Sequence, residues 1–252
     1  MTYDTKSEND ILWGTGTGCH GVIKIFLEKL HTAPDWASLV CEARNKRQTV
    51  ALRTVWETDK NDPAAKGTYF DEGKIQTTAG TLIKKITPPP HVVIFGAGDD
   101  AIALSELIHA TGWENSICDP RPDFARSQRF PHADRVINLP ETDAVSAFIW
   151  DDQTTAVVMT HQYRFDLPLL KVLVPMKLPF LGLLGPRERG ARLLSDAGFD
   201  HANVELHNPI GLDLGGDGPK AVALSIVAEI QAHLHGRDGQ PLSLRNRPIH
   251  DL

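Results

Sequence analysis

The sequence predicts an α/β protein in which a domain built on a parallel sheet follows a smaller α+β domain. The apolar run at residues 92–95 is typical of a parallel strand that is covered on both faces. A glycine turn at residues 96–101 leads into an amphipathic helix and a second strand, which ends before Asp119. This order of strand, turn, helix and strand is that of a Rossmann-like unit. Three prolines, at positions 88–90, separate it from the residues before it.

Composition narrows the class of protein. The chain has 252 residues, 41% of them hydrophobic, which is enough for one large domain or two modest ones. Its net charge is −6, and it has no dense block of Lys or Arg, so we expect no nucleic-acid partner. We also expect no membrane segment, no signal peptide and a cytoplasmic location. Three scattered cysteines, Cys19, Cys41 and Cys118, predict neither a disulfide framework nor a paired-cysteine zinc site.

The proline run divides the chain into an N-terminal domain at residues 1–86, a linker at 87–90, a Rossmann-like domain at 91–236 and a polar tail at 237–252. Apolar patterning in the N-terminal domain predicts a helix and several strands. The strands are expected at residues 11–13, 22–30, 49–56 and 80–86, and the helix at 36–47.

Beyond the linker, apolar runs alternate with helical stretches, which implies a parallel sheet with right-handed crossovers. Further strands are expected at residues 135–138, 155–160 and 180–184. One helix should run from Arg187 to Ala197 and stop at Gly198, and another should follow Pro219.

The first glycine loop has the spacing of a dinucleotide site. Gly96 permits a tight turn, and Gly98 lets a ligand approach the backbone. Asp119 lies 21 positions after Gly98, where such folds place a ribose-binding acid. However, Asp99 and Asp100 stand at the helix N-terminus, where they would repel a pyrophosphate. Asp99 is alternatively a simple N-cap on the scaffold. The loop therefore indicates the fold more strongly than it indicates NAD(P) binding.

Ligands of open α/β sheets bind at the carboxyl ends of the strands, so two further turns are candidates. His161 directly follows a strand, and Asp166 could orient its ring; alternatively, the histidine is structural. Gly185 and Arg187 open a helix whose free N–H groups suit a phosphate, or else form a plain turn with a solvated arginine.

A glycine-rich loop at residues 14–21 holds Cys19. The surrounding glycines, including Gly18 and Gly21, would let a ligand approach, and a thiolate could take part in sulfur or metal chemistry. The alternative is a small buried residue in a tight turn. The loop lacks the Lys-Ser/Thr ending of a nucleotide P-loop, which excludes a kinase or ATPase on this motif.

Five segments, in their order and spacing, resemble the xanthine dehydrogenase accessory factors of the XdhC/CoxI family. The resemblance covers about residues 10–234 and is carried by residues 12–21, 96–101, 159–161, 182–187 and 209–213. It implies a chaperone for the molybdenum cofactor (molybdopterin) rather than an enzyme. Such proteins protect the sulfurated cofactor and deliver it to an apo molybdenum hydroxylase such as xanthine dehydrogenase, with a cysteine desulfurase as a possible further partner.

The resemblance gives the candidate residues their roles. Gly185 and Arg187 would bind the cofactor's phosphate, and Cys19 would contact the metal or its sulfur. The remaining candidates would line the loops around the pterin: Gly18, Gly21, Gly96, Gly98, Asp119 and His161.

One feature departs from the family. Its members usually carry a Ser-Gly-Gly-Cys segment before the strand at Ile11, whereas this sequence starts just before that strand. We therefore expect a shortened N-terminal domain whose strands are covered by a partner chain, most simply in a homodimer. Two other functions stay open, an NAD(P)-binding oxidoreductase or redox sensor, and a scaffold that binds only protein.

Overall fold

The structure is a computed structural model that describes residues 2–4, 22–57, 66–73 and 80–246. The chain forms two compact units, Met1–Pro88 and Pro89–Leu252. The strand expected at residues 11–13 and the loop with Gly18, Cys19 and Gly21 lie outside the described residues.

The first unit is an α+β unit with two antiparallel sheets. Strand β1 (Thr2–Asp4) pairs with β2 (Val22–Lys24), and helix α1 (Asp35–Asn45) follows. Strands β3 (Val50–Val55), β4 (Gly67–Phe70) and β5 (Thr81–Ile86) form the second sheet in the order β4-β3-β5. The strand expected at residues 22–30 is therefore shorter than predicted. Only residues 22–24 pair with β1 in the described part of the chain, and Leu27 and Leu30 are exposed.

The second unit is a five-stranded parallel sheet with helices, which confirms the predicted Rossmann-like α/β fold. Its strand order is β8-β7-β6-β9-β10, so the order reverses between β6 and β9, where such sheets bind ligands. The elements in chain order are β6 (His91–Phe95), α2 (Asp99–Ala110), β7 (Glu114–Cys118), β8 (Arg135–Ile137), α3 (Glu141–Val145), β9 (Thr154–Val158), α4 (Tyr163–Leu173), β10 (Leu181–Leu183), α5 (Arg187–Ala197) and α6 (Pro219–Leu234).

Alternation along β6 divides the core into two faces. Val92 and Ile94 pack with residues of α2 and α6, whereas Val93 and Phe95 pack with residues of α4 and α5. All five residues of β6 are buried, as the continuous apolar run predicts. Helix α5 spans the residues expected of it and ends at Gly198, which has a left-handed backbone (φ +89°). No helix in the described part of the chain is long and apolar enough to cross a membrane.

Candidate functional site

The turn after β6 lies against the end of β9. Gly96 has φ +118°, and a Cβ at this position would stand 2.6 Å from the carbonyl carbon and oxygen of Met159. Glycine is therefore required for the backbone conformation and for the close approach of the two strand ends. Gly98 is different, because a Cβ there would meet no atom within 4 Å. The open space beside Gly98 is where a ligand could reach the backbone.

The start of α2 has no side-chain cap. Gly98 occupies the N-cap position with an extended backbone, and no described side chain accepts a cap hydrogen bond there. The alternative in which Asp99 caps the helix is therefore wrong. Its Oδ1 instead accepts a hydrogen bond from Arg129 Nη2 at 2.8 Å, because the carboxylate points to a guanidinium rather than to the helix amides. The first amides of α2 thus remain unoccupied by a side chain.

Asp119 holds the glycine turn at residues 96–101 through hydrogen bonds. It is fully buried. Its Oδ2 accepts hydrogen bonds from Ala97 N at 2.8 Å and Arg121 Nη2 at 2.6 Å, and its Oδ1 accepts from Arg121 N at 2.9 Å and Nε at 2.8 Å. Burial alone would raise the pKa of this carboxyl, but the hydrogen bonds from Arg121 and Ala97 outweigh it and lower the pKa below its ordinary value.

The expected role of Asp119 therefore needs correction. A carboxylate that already accepts four hydrogen bonds and is shielded from solvent offers nothing to a ribose or a pterin. It holds Ala97, and so the glycine turn, in place.

Two arginines that the sequence did not predict as site residues, Arg121 and Arg129, also hold this turn. Arg129 Nη1 donates to the carbonyl oxygens of Ala97 at 2.8 Å and Phe124 at 3.1 Å. The Arg121 guanidinium lies 3.8 Å from the centroid of the Phe124 ring. Both arginines come from the connection between β7 and β8, where Arg129 ends a short 3-10 helix (Ser127–Arg129). The only signal in the sequence was that Arg121 lies two positions after Asp119.

His161 stands at the end of β9, as predicted, but with a different partner. It has a left-handed backbone (φ +58°), its side chain is half exposed, and its Nε2 lies 3.7 Å from Asp100 Oδ2. Asp166 does not orient the ring. That carboxylate is fully buried at the start of α4 and binds the Thr160 hydroxyl and Arg189 Nη2, because the first turn of the helix aims it back at the strand end.

The turn after β10 forms a second opening at the same edge. Gly185 has φ +135°, and α5 begins at Arg187 with Pro186 at the N-cap and no side-chain cap among the described residues. Arg187 is exposed. Arg189 folds back toward Gly185, and its buried Nη1 has no hydrogen-bond partner within the described chain. Asn208 Nδ2 ties the turn down by donating to Gly185 O at 2.9 Å.

These turns follow four neighbouring strands at one edge of the sheet. The structure places six predicted residues at this edge: Gly96, Gly98, Asp119, His161, Gly185 and Arg187. Contacts link the first turn to the β9 end through Gly96 and Met159, and link that end to the β10 turn through Asp166 and Arg189. We call this row of turns the carboxyl-edge crevice.

Comparison with known proteins gives the family. The sequence-family model for the XdhC Rossmann domain matches residues 92–230 of this chain. The chain belongs to the XdhC family. It is 31% identical over 249 residues to a probable xanthine dehydrogenase component of Bacillus subtilis (strain 168), covering 91% of this chain and 74% of that protein. This match extends the relationship well beyond the Rossmann domain and confirms the resemblance found in the sequence.

A solved structure and a second relative are also similar to this chain. A crystal structure described as a xanthine dehydrogenase from Bacillus halodurans superposes with a TM-score of 0.77 at 25% identity, covering 97% of this chain and 78% of that one. The uncharacterized protein YqeB of Escherichia coli (strain K12) is 24% identical over 165 residues, which is 64% of this chain and 30% of that protein.

Proposed function

We propose that this XdhC-family protein is an accessory protein of a xanthine dehydrogenase-type molybdenum hydroxylase. It binds the molybdenum cofactor, protects its sulfurated form and delivers it to the apo-enzyme. The observation that carries this proposal is the β10 turn. There an uncapped helix N-terminus, an exposed Arg187 and a glycine with φ +135° present donors to an anion at the edge where Rossmann-like sheets bind ligands.

The residues of the crevice fit a phosphorylated pterin. Molybdopterin supplies a phosphate, a flat heterocycle with hydrogen-bonding edges, and the sulfur atoms that hold molybdenum. Gly185, Arg187 and the first amides of α5 would hold the phosphate. The open backbone at Gly98 and the half-exposed ring of His161 would contact the heterocycle.

A buried donor supports this assignment. Arg189 Nη1 is buried, would lie 3.7 Å from a Cβ added at Gly185, and lacks a protein acceptor among the described residues. An unpaired buried donor is costly, so a site that supplies an acceptor on ligand binding would gain from it. Asp166 holds the other nitrogen of the same guanidinium and thereby keeps Arg189 beside the turn.

The alternative function is that of an NAD(P)-binding oxidoreductase or redox sensor. The glycine turn and the strand order of the sheet favour it. Against it, the acid expected to bind ribose is buried and already accepts four hydrogen bonds, and Asp99 and Asp100 place two carboxylates in the first turn of α2, near the amides that a pyrophosphate would need. We therefore place dinucleotide binding second.

Cys19 remains the proposed contact to the metal or its sulfur, with Gly18 and Gly21 beside it. A Cys19→Ala variant should bind the cofactor but fail to preserve its sulfurated form, because only the thiolate chemistry is lost. Reactivation of an apo molybdenum hydroxylase measures this directly. Reactivation by the variant equal to that by the wild type would remove Cys19 from the proposal. A cysteine desulfurase as sulfur donor, a homodimer and a cytoplasmic location also remain predictions.

Calorimetric titration tests the proposal against its alternative. The wild-type protein should bind molybdopterin and give no heat with NAD(P)H. Arg187→Gln should weaken cofactor binding about 10- to 100-fold, since a hydrogen bond to a charged group contributes roughly 1.5–3 kcal/mol. Lys220→Gln is the matched control, because Lys220 is also an exposed cation in the first turn of a helix. Heat with NAD(P)H alone would favour the oxidoreductase, and heat with neither ligand would leave a protein-binding scaffold.

A further inference from the structure

A second cluster of polar side chains lies outside the carboxyl-edge crevice. Glu205 and His207 come from the segment that follows α5, and His233 lies near the end of α6. Each offers one candidate ligand atom, and these atoms all lie within 4.8 Å of one another. None of the residues proposed to hold the cofactor belongs to this cluster, which we call the His207 cluster.

Hydrogen bonding prepares His207 for a metal ion. Its Nδ1 lies 2.9 Å from Glu229 Oε1, while its Nε2 is buried and has no hydrogen-bond partner among the described residues. A carboxylate at Nδ1 fixes the proton on that nitrogen and leaves a lone pair on Nε2. This arrangement favours the tautomer that a metal ligand needs, with an acceptor at Nε2 where the described residues supply no donor.

Glu229 is itself held in place through its second carboxyl oxygen. Its Oε2 accepts a hydrogen bond from Gly211 N at 2.6 Å. A carboxyl group hydrogen-bonded to the other ring nitrogen is the outer partner that commonly orients a metal-bound histidine.

Packing fixes both imidazoles before an ion arrives. The His207 ring stacks on Phe180 with centroids 4.0 Å apart and meets the His233 ring edge to face at 4.9 Å. The backbone of His207 bonds to Leu181 O at 3.0 Å and accepts from Leu183 N at 2.9 Å, so the residue is anchored along β10. The cost of ordering these ligands is therefore largely met by folding.

We propose that Glu205, His207 and His233 bind a divalent transition-metal ion, with Zn²⁺ as the preferred occupant. Two imidazole nitrogens and one carboxylate oxygen form a ligand set that Zn²⁺ uses, whereas Ca²⁺ and Mg²⁺ prefer oxygen ligands alone. Tetrahedral zinc with bonds of about 2.0–2.1 Å separates its ligand atoms by roughly 3.4 Å, so an ion would draw together ligand atoms that now lie within 4.8 Å of one another. Three protein ligands leave one coordination position for water or another ligand.

Glu205 is the member of the His207 cluster that borders a surface cavity. Glu205 lines a surface cavity of about 510 Å³ that is bordered by residues at the end of α4 and after α5, including Val174, Leu178 and Phe199. An ion would therefore meet Glu205 first, since Glu205 is the exposed member of the His207 cluster.

Binding of Zn²⁺ and Co²⁺ to the full-length protein tests the proposal. We expect one ion per chain and a tetrahedral Co²⁺ absorption spectrum that lacks a sulfur-to-metal charge-transfer band. His233→Ala and Glu205→Gln should each weaken Zn²⁺ binding at least tenfold, and Glu229→Gln should weaken it about 10- to 100-fold through its effect on His207. His235→Ala is the matched control, because this exposed histidine lies two residues from His233 and bonds only locally, to Gln231 O.

The outcomes separate the site from its alternatives. Unchanged Zn²⁺ affinity in both Glu205→Gln and His233→Ala would overturn the proposal, as would a Co²⁺ spectrum with thiolate character, which would place the ion on a cysteine. Absence of binding by the wild type would overturn it as well, and would mean that His207 and Glu229 form a structural pair only. Since Glu205 is exposed, its variant stays informative even if His233→Ala does not fold.

Discussion

The two glycines of the first loop give the sharpest prediction on the fold. Gly96→Ala should destabilise the second unit by about 2–6 kcal/mol. A non-glycine residue in this backbone region costs about 1–3 kcal/mol, and overpacking against backbone atoms of Met159, which lie 2.6 Å from the new Cβ, costs about 1–3 kcal/mol more. Neither contacting atom can rotate away, because both belong to the main chain.

Gly98→Ala is the matched control for this loop. Its φ of −69° suits alanine, and the added Cβ meets nothing within 4 Å. The lower entropy of the unfolded chain and the poorer N-cap residue roughly cancel, so stability should change by less than about 1 kcal/mol. Native-state hydrogen exchange of the β6 amides measures both variants in the second unit itself. Equal protection in Gly96→Ala and Gly98→Ala would refute the argument that close approach requires Gly96.

Three further variants probe the edge. Asp119→Asn should lower the free energy of unfolding most above about pH 5. Because the native pKa of Asp119 lies below the ordinary value near 3.8, the difference from wild type should shrink as the pH falls from about 4. Urea unfolding measures this difference, and a difference that does not depend on pH would contradict the assigned role. Arg189→Met should lower the free energy of unfolding by about 3–5 kcal/mol, because it leaves the buried Asp166 carboxylate without its cationic partner. Adding Asp166→Asn should recover part of that loss. A decrease in Tm of less than about 2 °C in Arg189→Met would contradict this prediction. Gly190→Ala should lower the free energy of unfolding by about 2–4 kcal/mol in a thermal melt. The new Cβ would stand 2.5 Å from Asn208 Cγ and would disrupt the hydrogen bonds that Asn208 donates to the β10 turn. An unchanged stability would show that Asn208 does not hold this turn.

Sequence periodicity predicted the second unit well because its signals are local. A strand that is buried on both faces appears in the sequence as one apolar run. The turn after it requires glycine at position 96, so the sequence also shows where that strand ends. The carboxyl-edge crevice followed from topology, since parallel strands bring their carboxyl ends to one side. The first unit was harder, because a period of two at residues 22–30 does not reveal which residues have a neighbouring strand.

Partners of charged side chains could not be predicted from spacing. Asp119 has the spacing of a ribose ligand, yet the main chain of Ala97 and the side chain of Arg121 take both of its oxygens. The His207 cluster gave no signal at all, because His233 comes 26 positions after His207 on another element and Glu-x-His alone is not a recognised metal motif. Long-range contacts of this kind are fixed by packing rather than by local pattern.

Pterin content tests the central claim most directly. The full-length protein, purified from a host that makes molybdopterin, should carry bound pterin that is detected by fluorescence after release. Lys220→Gln should retain it, and Arg187→Gln should lose most of it, because the phosphate donors lie at the β10 turn. Absence of pterin from the wild type, or equal pterin in Arg187→Gln and Lys220→Gln, would contradict the proposal that the carboxyl-edge crevice holds the cofactor.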